Sequence, residues 1–128
     1  MGEAVRSIIV AGSRGFKDYP FLRNILHAVI DEGEKGDEVE IVSGGAKGAD
    51  SLGEVYAKEF GYSTTKFPAN WKKYGRAAGY IRNEEMAEYA AELVVFWDGR
   101  SSGTKHMVQH ASKKGLKVKL FFHEACTE

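Results

Sequence analysis

Short apolar runs alternate with longer amphipathic segments along nearly the whole chain, and this alternation limits the folds open to it. Residues 7–11 and 93–97 are continuous apolar runs, residues 39–42 and 116–122 are mainly apolar, and residues 62–67 alternate weakly between polar and apolar residues. Strands that alternate with helices over short connections form a parallel sheet with right-handed crossovers. We therefore predict an α/β fold: a doubly wound, mainly parallel five-stranded sheet with helices on both faces. The predicted strands are residues 7–11, 39–42, 62–67, 93–97 and 116–122.

The segments between these strands have the apolar spacing of helices. The chain has 128 residues, 43% hydrophobic and 28% charged, which suits one globular domain over residues 1–128. The stretch 70–79 shows no clear period and is predicted to be a loop. The predicted helices are one that begins after Pro20, followed by residues 49–60, 81–91 and 105–114.

The charge balance and the cysteine content narrow the classes of partner. Eighteen basic side chains balance eighteen acidic ones, and this neutrality argues against nucleic acid as the partner. The single Cys126 cannot form an internal disulfide, which suits a reducing compartment. No apolar run is long enough for a signal peptide or a membrane span, so we expect a cytoplasmic protein with no membrane partner.

Small and polar residues follow three of the predicted strands, in loops 12–16, 43–50 and 98–104. Carboxyl ends of parallel strands meet at one edge of a sheet, where ligands bind in such folds. Glycines allow close backbone approach, and a helix N-terminus favours an anion. The order SGGAKGAD in the second loop matches neither the dinucleotide nor the P-loop fingerprint, and the alternative is a tight turn with no ligand. The ligand-binding candidates in these loops are Gly12, Ser13, Arg14, Phe16, Ser43, Gly44, Gly45, Lys47, Gly48, Ala49, Asp50, Asp98, Ser102, Gly103 and Thr104.

The predicted loop 70–79 adds aromatic and basic side chains. Trp71, Tyr74 and Tyr80 are interleaved with cations that include Arg76. Such a mixture can stack a base and neutralise phosphates. Loop aromatics also serve to anchor a loop on its own domain, and the sequence does not separate the two.

Four motifs resemble one known family. They are GSRGF at 12–16, SGGAKGAD at 43–50, IRNxxM at 81–86 and FWDGxSxGT at 96–104. In this order they resemble the YspA-like branch of the SLOG superfamily, which is related to the LOG phosphoribohydrolases and to DprA. The resemblance implies a Rossmann-like fold and a nucleotide or nucleotide-derived ligand. It also adds Arg82 and Asn83 to the binding candidates.

The LOG relatives imply a more specific test. Their catalytic arginine resembles Arg82, with Asn83 where they carry a lysine, but their glutamate position is occupied by Met107. Methionine can neither accept a proton nor stabilise a developing sugar cation. A LOG-like reaction would therefore need a substitute carboxylate, and the catalytic candidates are Arg82, Asp98 and Asp50.

Several candidates also have a purely structural interpretation. Asp50 at a helix start is most simply an N-cap, and capping also accounts for either Ser102 or Thr104. Arg82 has Glu85 and Glu88 as ion-pair partners on its own helix. The pair His106 and His110, four residues apart, has metal-ligand spacing. No third ligand is evident in the sequence, so we expect no metal.

Binding is the leading functional hypothesis. We expect a sensor or sequestering module for a mononucleotide or an ADP-ribose-like compound, acting without a cofactor. The alternatives are a LOG-like N-glycosidase and single-stranded nucleic-acid binding as in DprA. The same relatives imply a homodimer or a larger homo-oligomer.

Overall fold

A computed structural model describes residues 5–33 and 36–123, and the predicted free thiol of Cys126 lies outside these ranges. The chain forms one five-stranded sheet with the order β3-β2-β1-β4-β5. All four neighbouring pairs are parallel. The predicted doubly wound α/β fold is therefore confirmed. The strands are β1 (Val5–Gly12), β2 (Glu38–Ser43), β3 (Ser63–Lys66), β4 (Glu92–Trp97) and β5 (Lys117–Phe122).

Helices cover both faces of the sheet because its central strands are apolar on both sides. Ile8, Ile9 and Val10 in β1 are all completely buried. Ile8 and Val10 pack into one core cluster, whereas Ile9 packs into the other. Alternate residues of one strand thus supply the two cores that hold the helices. The helices are α1 (Tyr19–Asp31), α2 (Ala49–Phe60), α3 (Trp71–Tyr74), α4 (Ala78–Tyr89) and α5 (Ser102–Lys113).

Two helices begin three residues earlier than the sequence predicts, and a side-chain cap accounts for one of them. Helix α5 begins at Ser102, three residues earlier than predicted, since the Ser101 hydroxyl accepts a hydrogen bond from the Thr104 amide at 3.3 Å. Helix α4 begins at Ala78, also three residues early. The predicted loop 70–79 instead contains α3, capped by Asn70, and a 3-10 turn, Gly75–Ala77.

The order of the strands places a switch point between β1 and β4. The chain moves from β1 to β2 and β3 in one direction, then returns to add β4 and β5 on the other side of β1. The connections that leave β1 and β4 therefore diverge, which opens a crevice at their carboxyl ends. Within the described ranges, no helix combines the length and the apolar character needed to cross a membrane.

Candidate ligand-binding cleft

A cleft of about 200 Å³ opens at this switch point, between the end of β1 and the start of α5. Helices α3 and α4 supply its far wall. The cleft brings together residues from all three loops and from the basic, aromatic segment. The predicted binding residues that line it are Gly12, Arg14, Asp50, Arg76, Arg82, Asn83, Ser102, Gly103 and Thr104.

Two shallower grooves flank the cleft and hold other predicted residues. Ser13 and Asp98 line one groove, next to the start of α5. Gly44, Gly45 and Lys47 line the other groove, which shares Arg14, Trp71 and Arg82 with the cleft. Asp98 and Lys47 are therefore beside the cleft and do not line it.

Four predicted binding residues instead support the fold. Phe16 is buried and stacks on Phe96, with 4.8 Å between the ring centroids. Ser43 and Ala49 are completely buried, and Gly48 packs against the backbone of the first loop. Their small or apolar character reflects close packing beneath the site.

The Gly-rich loop, residues 43–50, is closed by its own side chains. The Ser43 hydroxyl accepts a hydrogen bond from the Gly45 amide at 3.0 Å, and the Asp50 carboxylate accepts one from the Ala46 amide at 3.3 Å. These amides are the donors that a phosphate cradle would have used. Asp50 is not the N-cap of α2, a position that Gly48 holds. The Asp50 carboxylate instead accepts a hydrogen bond from a loop amide that was expected to bind the anion of a ligand.

Arg82 and Asp50 meet across Gly44. A Cβ atom on Gly44 would lie 2.7 Å from the Arg82 guanidinium and 2.8 Å from the Asp50 carboxylate. Arg82 Nη1 donates to the Gly44 carbonyl, and Arg82 Nε donates to Asn83 Oδ1 at 3.1 Å. These contacts, and not the expected pairs with Glu85 or Glu88, orient the arginine.

The two charged groups titrate in opposite directions. Burial raises the pKa of Asp50 from its ordinary 3.8 to about 6, against the opposing effects of the Ala46 amide and of Arg82. Burial lowers the pKa of Arg82, although the nearby Asp50 raises it, and the nearby Arg14 adds to the lowering. The cleft therefore has a weakly acidic carboxyl group beside its innermost cation.

The raised pKa of Asp50 makes the stability of the protein depend on pH. Between pH 3.8 and about pH 6, the Asp50 carboxyl group keeps its proton in the folded state but has lost it in the unfolded state. Folding stability should therefore fall as pH rises through this window. Relative to the wild type, we expect the unfolding free energy of Asp50→Asn to rise by about 2.5 kcal/mol between pH 4 and pH 7. Urea titrations of both proteins at several pH values measure the difference, and parallel pH profiles would contradict the assignment.

The N-terminus of α5 offers amide donors to the cleft. Asp98 Oδ1 accepts hydrogen bonds from the amides of Arg100 and Ser101, at 2.8 and 2.9 Å. These bonds shape the third loop and lower the pKa of Asp98. No hydrogen bond in the described part of the chain uses the amides of Ser102 and Gly103, which line the cleft. Two amides at the start of α5 are thus free to donate to a ligand in the cleft.

The other cleft walls are aromatic and apolar. Trp71 and Tyr80 line the cleft with 52% and 42% of their surfaces exposed. The buried side chains of Met86 and Met107 also line it. Met107, which the resemblance to LOG enzymes places at their glutamate position, therefore belongs to a hydrophobic core cluster. The sequence analysis named Trp71 and Tyr80 but did not assign them to the binding site. Their alternation with Arg76 and Arg82 was the sequence feature that could have indicated this role.

Comparison with known proteins identifies the family of the chain. The sequence profile of YAcAr, the YspA, cpYpsA-related SLOG family, matches residues 6–74. The Gene 61 protein of Mycobacterium phage D29 is 32% identical over 120 residues, covering 89% of this chain and 94% of that protein.

A solved structure shares the fold. It is the DNA processing protein A (DprA) of Streptococcus pneumoniae, with a TM-score of 0.70 and 19% identity over 91% of this chain. The alignment spans half the length of the DprA chain. The family profile confirms the resemblance drawn from the motifs. The chain belongs to the YspA, cpYpsA-related SLOG family.

Proposed function

We propose that the cleft binds a nucleotide or a nucleotide-derived ligand, either a mononucleotide or an ADP-ribose-like compound. The observation that carries this proposal is the placement of Arg14, Arg76 and Arg82 in one cleft with the free amides of the α5 N-terminus. Guanidinium groups and helix N-termini are the two protein elements best suited to phosphate oxygens. Family membership supports a role connected with nucleotides or nucleic acids in general.

The position of each cleft wall suggests how such a ligand lies. Its phosphates contact Ser102 and Gly103 at α5 and the facing arginines. Its base packs on Trp71 or Tyr80, the exposed aromatic rings of the far wall. A net charge of zero means that attraction for an anion is local to this cleft. A small bound molecule fits this pattern better than an extended nucleic-acid strand does.

A thermal-shift panel tests the proposal. It contains AMP, ADP, GMP, cyclic nucleotides, NAD and ADP-ribose, with ribose and inorganic phosphate as partial ligands. We expect at least one nucleotide to raise the melting temperature, because a ligand at 100 times its dissociation constant stabilises the folded state by about 2.7 kcal/mol. A folded protein that responds to no member of the panel would contradict the proposal.

A variant pair locates the binding in the cleft. Trp71→Ala removes an exposed aromatic wall, whereas Tyr74→Ala removes an aromatic side chain from the same short helix that does not line the cleft. We expect the shift to shrink in Trp71→Ala and to persist in Tyr74→Ala. Equal thermal shifts in the two variants would show that the ligand binds outside the cleft.

The second candidate function is hydrolysis of an N-glycosidic bond. The observation in its favour is Asp50, a buried carboxyl group beside Arg82 that lines the cleft and has a pKa of about 6. A carboxyl group with a pKa near neutrality can donate or accept a proton at the reacting centre. Asp98 is less well placed, since it lies in the flanking groove and holds the third loop.

Product analysis separates the two functions. A hydrolase would release free base and ribose phosphate from AMP, and the release would stop in Asp50→Asn. Binding without any release of base after long incubation would support the module that senses or sequesters its ligand. Activity that persists in Asp50→Asn and stops in Asp98→Asn would assign the reaction to the flanking groove.

A further inference from the structure

We propose a divalent-metal site formed by Glu84 of α4 and by His106 and His110 of α5. Each residue offers one ligand atom, and the three atoms all lie within 4.8 Å of one another. Sequence analysis identified the histidine pair and expected no metal because a third ligand was missing. The packing of α4 against α5 supplies that ligand from a helix about twenty residues earlier in the chain.

The two imidazole rings are arranged to act together. They are nearly parallel, with 5.8 Å between centroids and 11° between planes. His106 Nε2 lies 3.8 Å from Glu84 Oε2. Within residues 5–33 and 36–123, His110 Nε2 is buried and has no hydrogen-bond partner. Buried polar atoms are nearly always paired, so this nitrogen indicates a missing ligand.

The donor set selects the class of metal. Two imidazole nitrogens and one carboxylate oxygen suit Zn²⁺ or Co²⁺ better than they suit Mg²⁺ or Ca²⁺. Tetrahedral coordination at roughly 2.0–2.2 Å requires the three atoms to move closer together. The Glu84 side chain can make most of this movement because 51% of it is exposed. Three protein ligands leave the fourth position open for water.

The site is linked to the cleft through Asn83. Asn83 Nδ2 lies 3.3 Å from His106 Nδ1, while Asn83 Oδ1 accepts from Arg82 Nε at 3.1 Å. A metal on His106 Nε2 leaves the ring proton on Nδ1, where Asn83 must then present its oxygen. Turning the amide in this way takes the oxygen away from Arg82. Metal binding therefore changes the hydrogen bonding of the innermost arginine of the cleft.

Calorimetric titration of the untagged 128-residue chain with ZnCl₂ tests the site, and the visible absorption of bound Co²⁺ reports its geometry. We expect one equivalent of Zn²⁺ to bind and Co²⁺ to give the strong bands of a tetrahedral site. His110→Ala and Glu84→Gln should each weaken Zn²⁺ binding at least tenfold, since ligands matter no less than the groups that orient them. Glu85→Gln is the matched control, an exposed glutamate on the same helix outside the cluster, and should bind as the wild type does.

Asn83→Asp tests the link to the cleft, because a carboxylate accepts the Nδ1 proton without turning. We expect it to bind Zn²⁺ more tightly than the wild type, and unchanged affinity would contradict the role of Asn83. Absence of Zn²⁺ binding to the folded wild type would overturn the metal site. Binding that Glu84→Gln leaves unchanged would overturn it as well, and this exposed substitution remains informative even if His110→Ala does not fold. If Zn²⁺ binding is lost in Cys126→Ser but kept in His110→Ala and Glu84→Gln, the metal binds to the thiol and not to the proposed site.

Discussion

Gly48→Ala is expected to lower the free energy of unfolding by about 3 kcal/mol or more. Gly48 has φ 83° and ψ −127°, a conformation that glycine alone adopts readily. A Cβ atom there would also collide with the backbone carbonyls of Ser13 and Arg14, the latter at 2.6 Å. Left-handed strain costs roughly 1–2 kcal/mol, and overpacking against a backbone that cannot move aside adds roughly 1–3 kcal/mol. Urea denaturation followed by circular dichroism measures the loss.

Gly45→Ala is the matched control for this effect. Gly45 also has a positive φ, 77°, but nothing lies within 4 Å of the place its Cβ atom would occupy. It should lose only the conformational part, about 1 kcal/mol. A bulky side chain at Gly45 points into open space, so the close backbone contact of this loop is made by Gly48. Equal losses in the two variants would show that contact with the first loop contributes nothing.

Arg82→Ala is expected to weaken nucleotide binding about 100-fold. This prediction rests on the proposed function. The arginine is the innermost cation of the cleft, and a lost charge-assisted hydrogen bond costs roughly 1.5–3 kcal/mol. The substitution also removes the positive charge near Asp50, so at a pH above the pKa of Asp50 the ionised carboxylate would repel the incoming anion. Calorimetry with the panel compound that gives the largest thermal shift measures the change.

Two variants separate these contributions. Lys113→Ala removes one positive charge from the far end of α5 and should bind within about twofold of the wild type, because screened surface charges act weakly over distance. Arg82→Ala combined with Asp50→Asn removes the repulsion and should recover part of the affinity. If Lys113→Ala weakens nucleotide binding as much as Arg82→Ala does, Arg82 contributes only through the overall charge of the protein.

The apolar runs predicted the central strands β1, β2 and β4 well because burial on both faces demands apolar strands. They also placed the three loops at one edge, since parallel strands end together. Short elements were harder to predict. Helix α3 has four residues and no buried side chain, so it leaves no apolar period in the sequence, and its cap at Asn70 was the one local signal.

The interior of the candidate site depended on contacts distant in sequence. The closure of the Gly-rich loop by Ser43 and Asp50 follows from the way β2 meets α2, which spacing alone does not determine. Glu84 and the histidine pair likewise share no sequence motif, since packing of two helices brings them together. The residue types in the sequence predicted which groups have chemistry suited to a site. The partners of those groups could be identified only from the fold.

The carboxylate that sits within the Gly-rich loop has a consequence for selectivity. Because Asp50 already faces Arg82, the empty cleft has its own internal counter-ion, and a small free anion gains little by entering. A ligand that also spreads over Trp71 and Tyr80 gains contact area that inorganic phosphate cannot provide. On the proposed function, we therefore expect the cleft to discriminate against free inorganic anions and to favour molecules that carry both a phosphate and an aromatic ring.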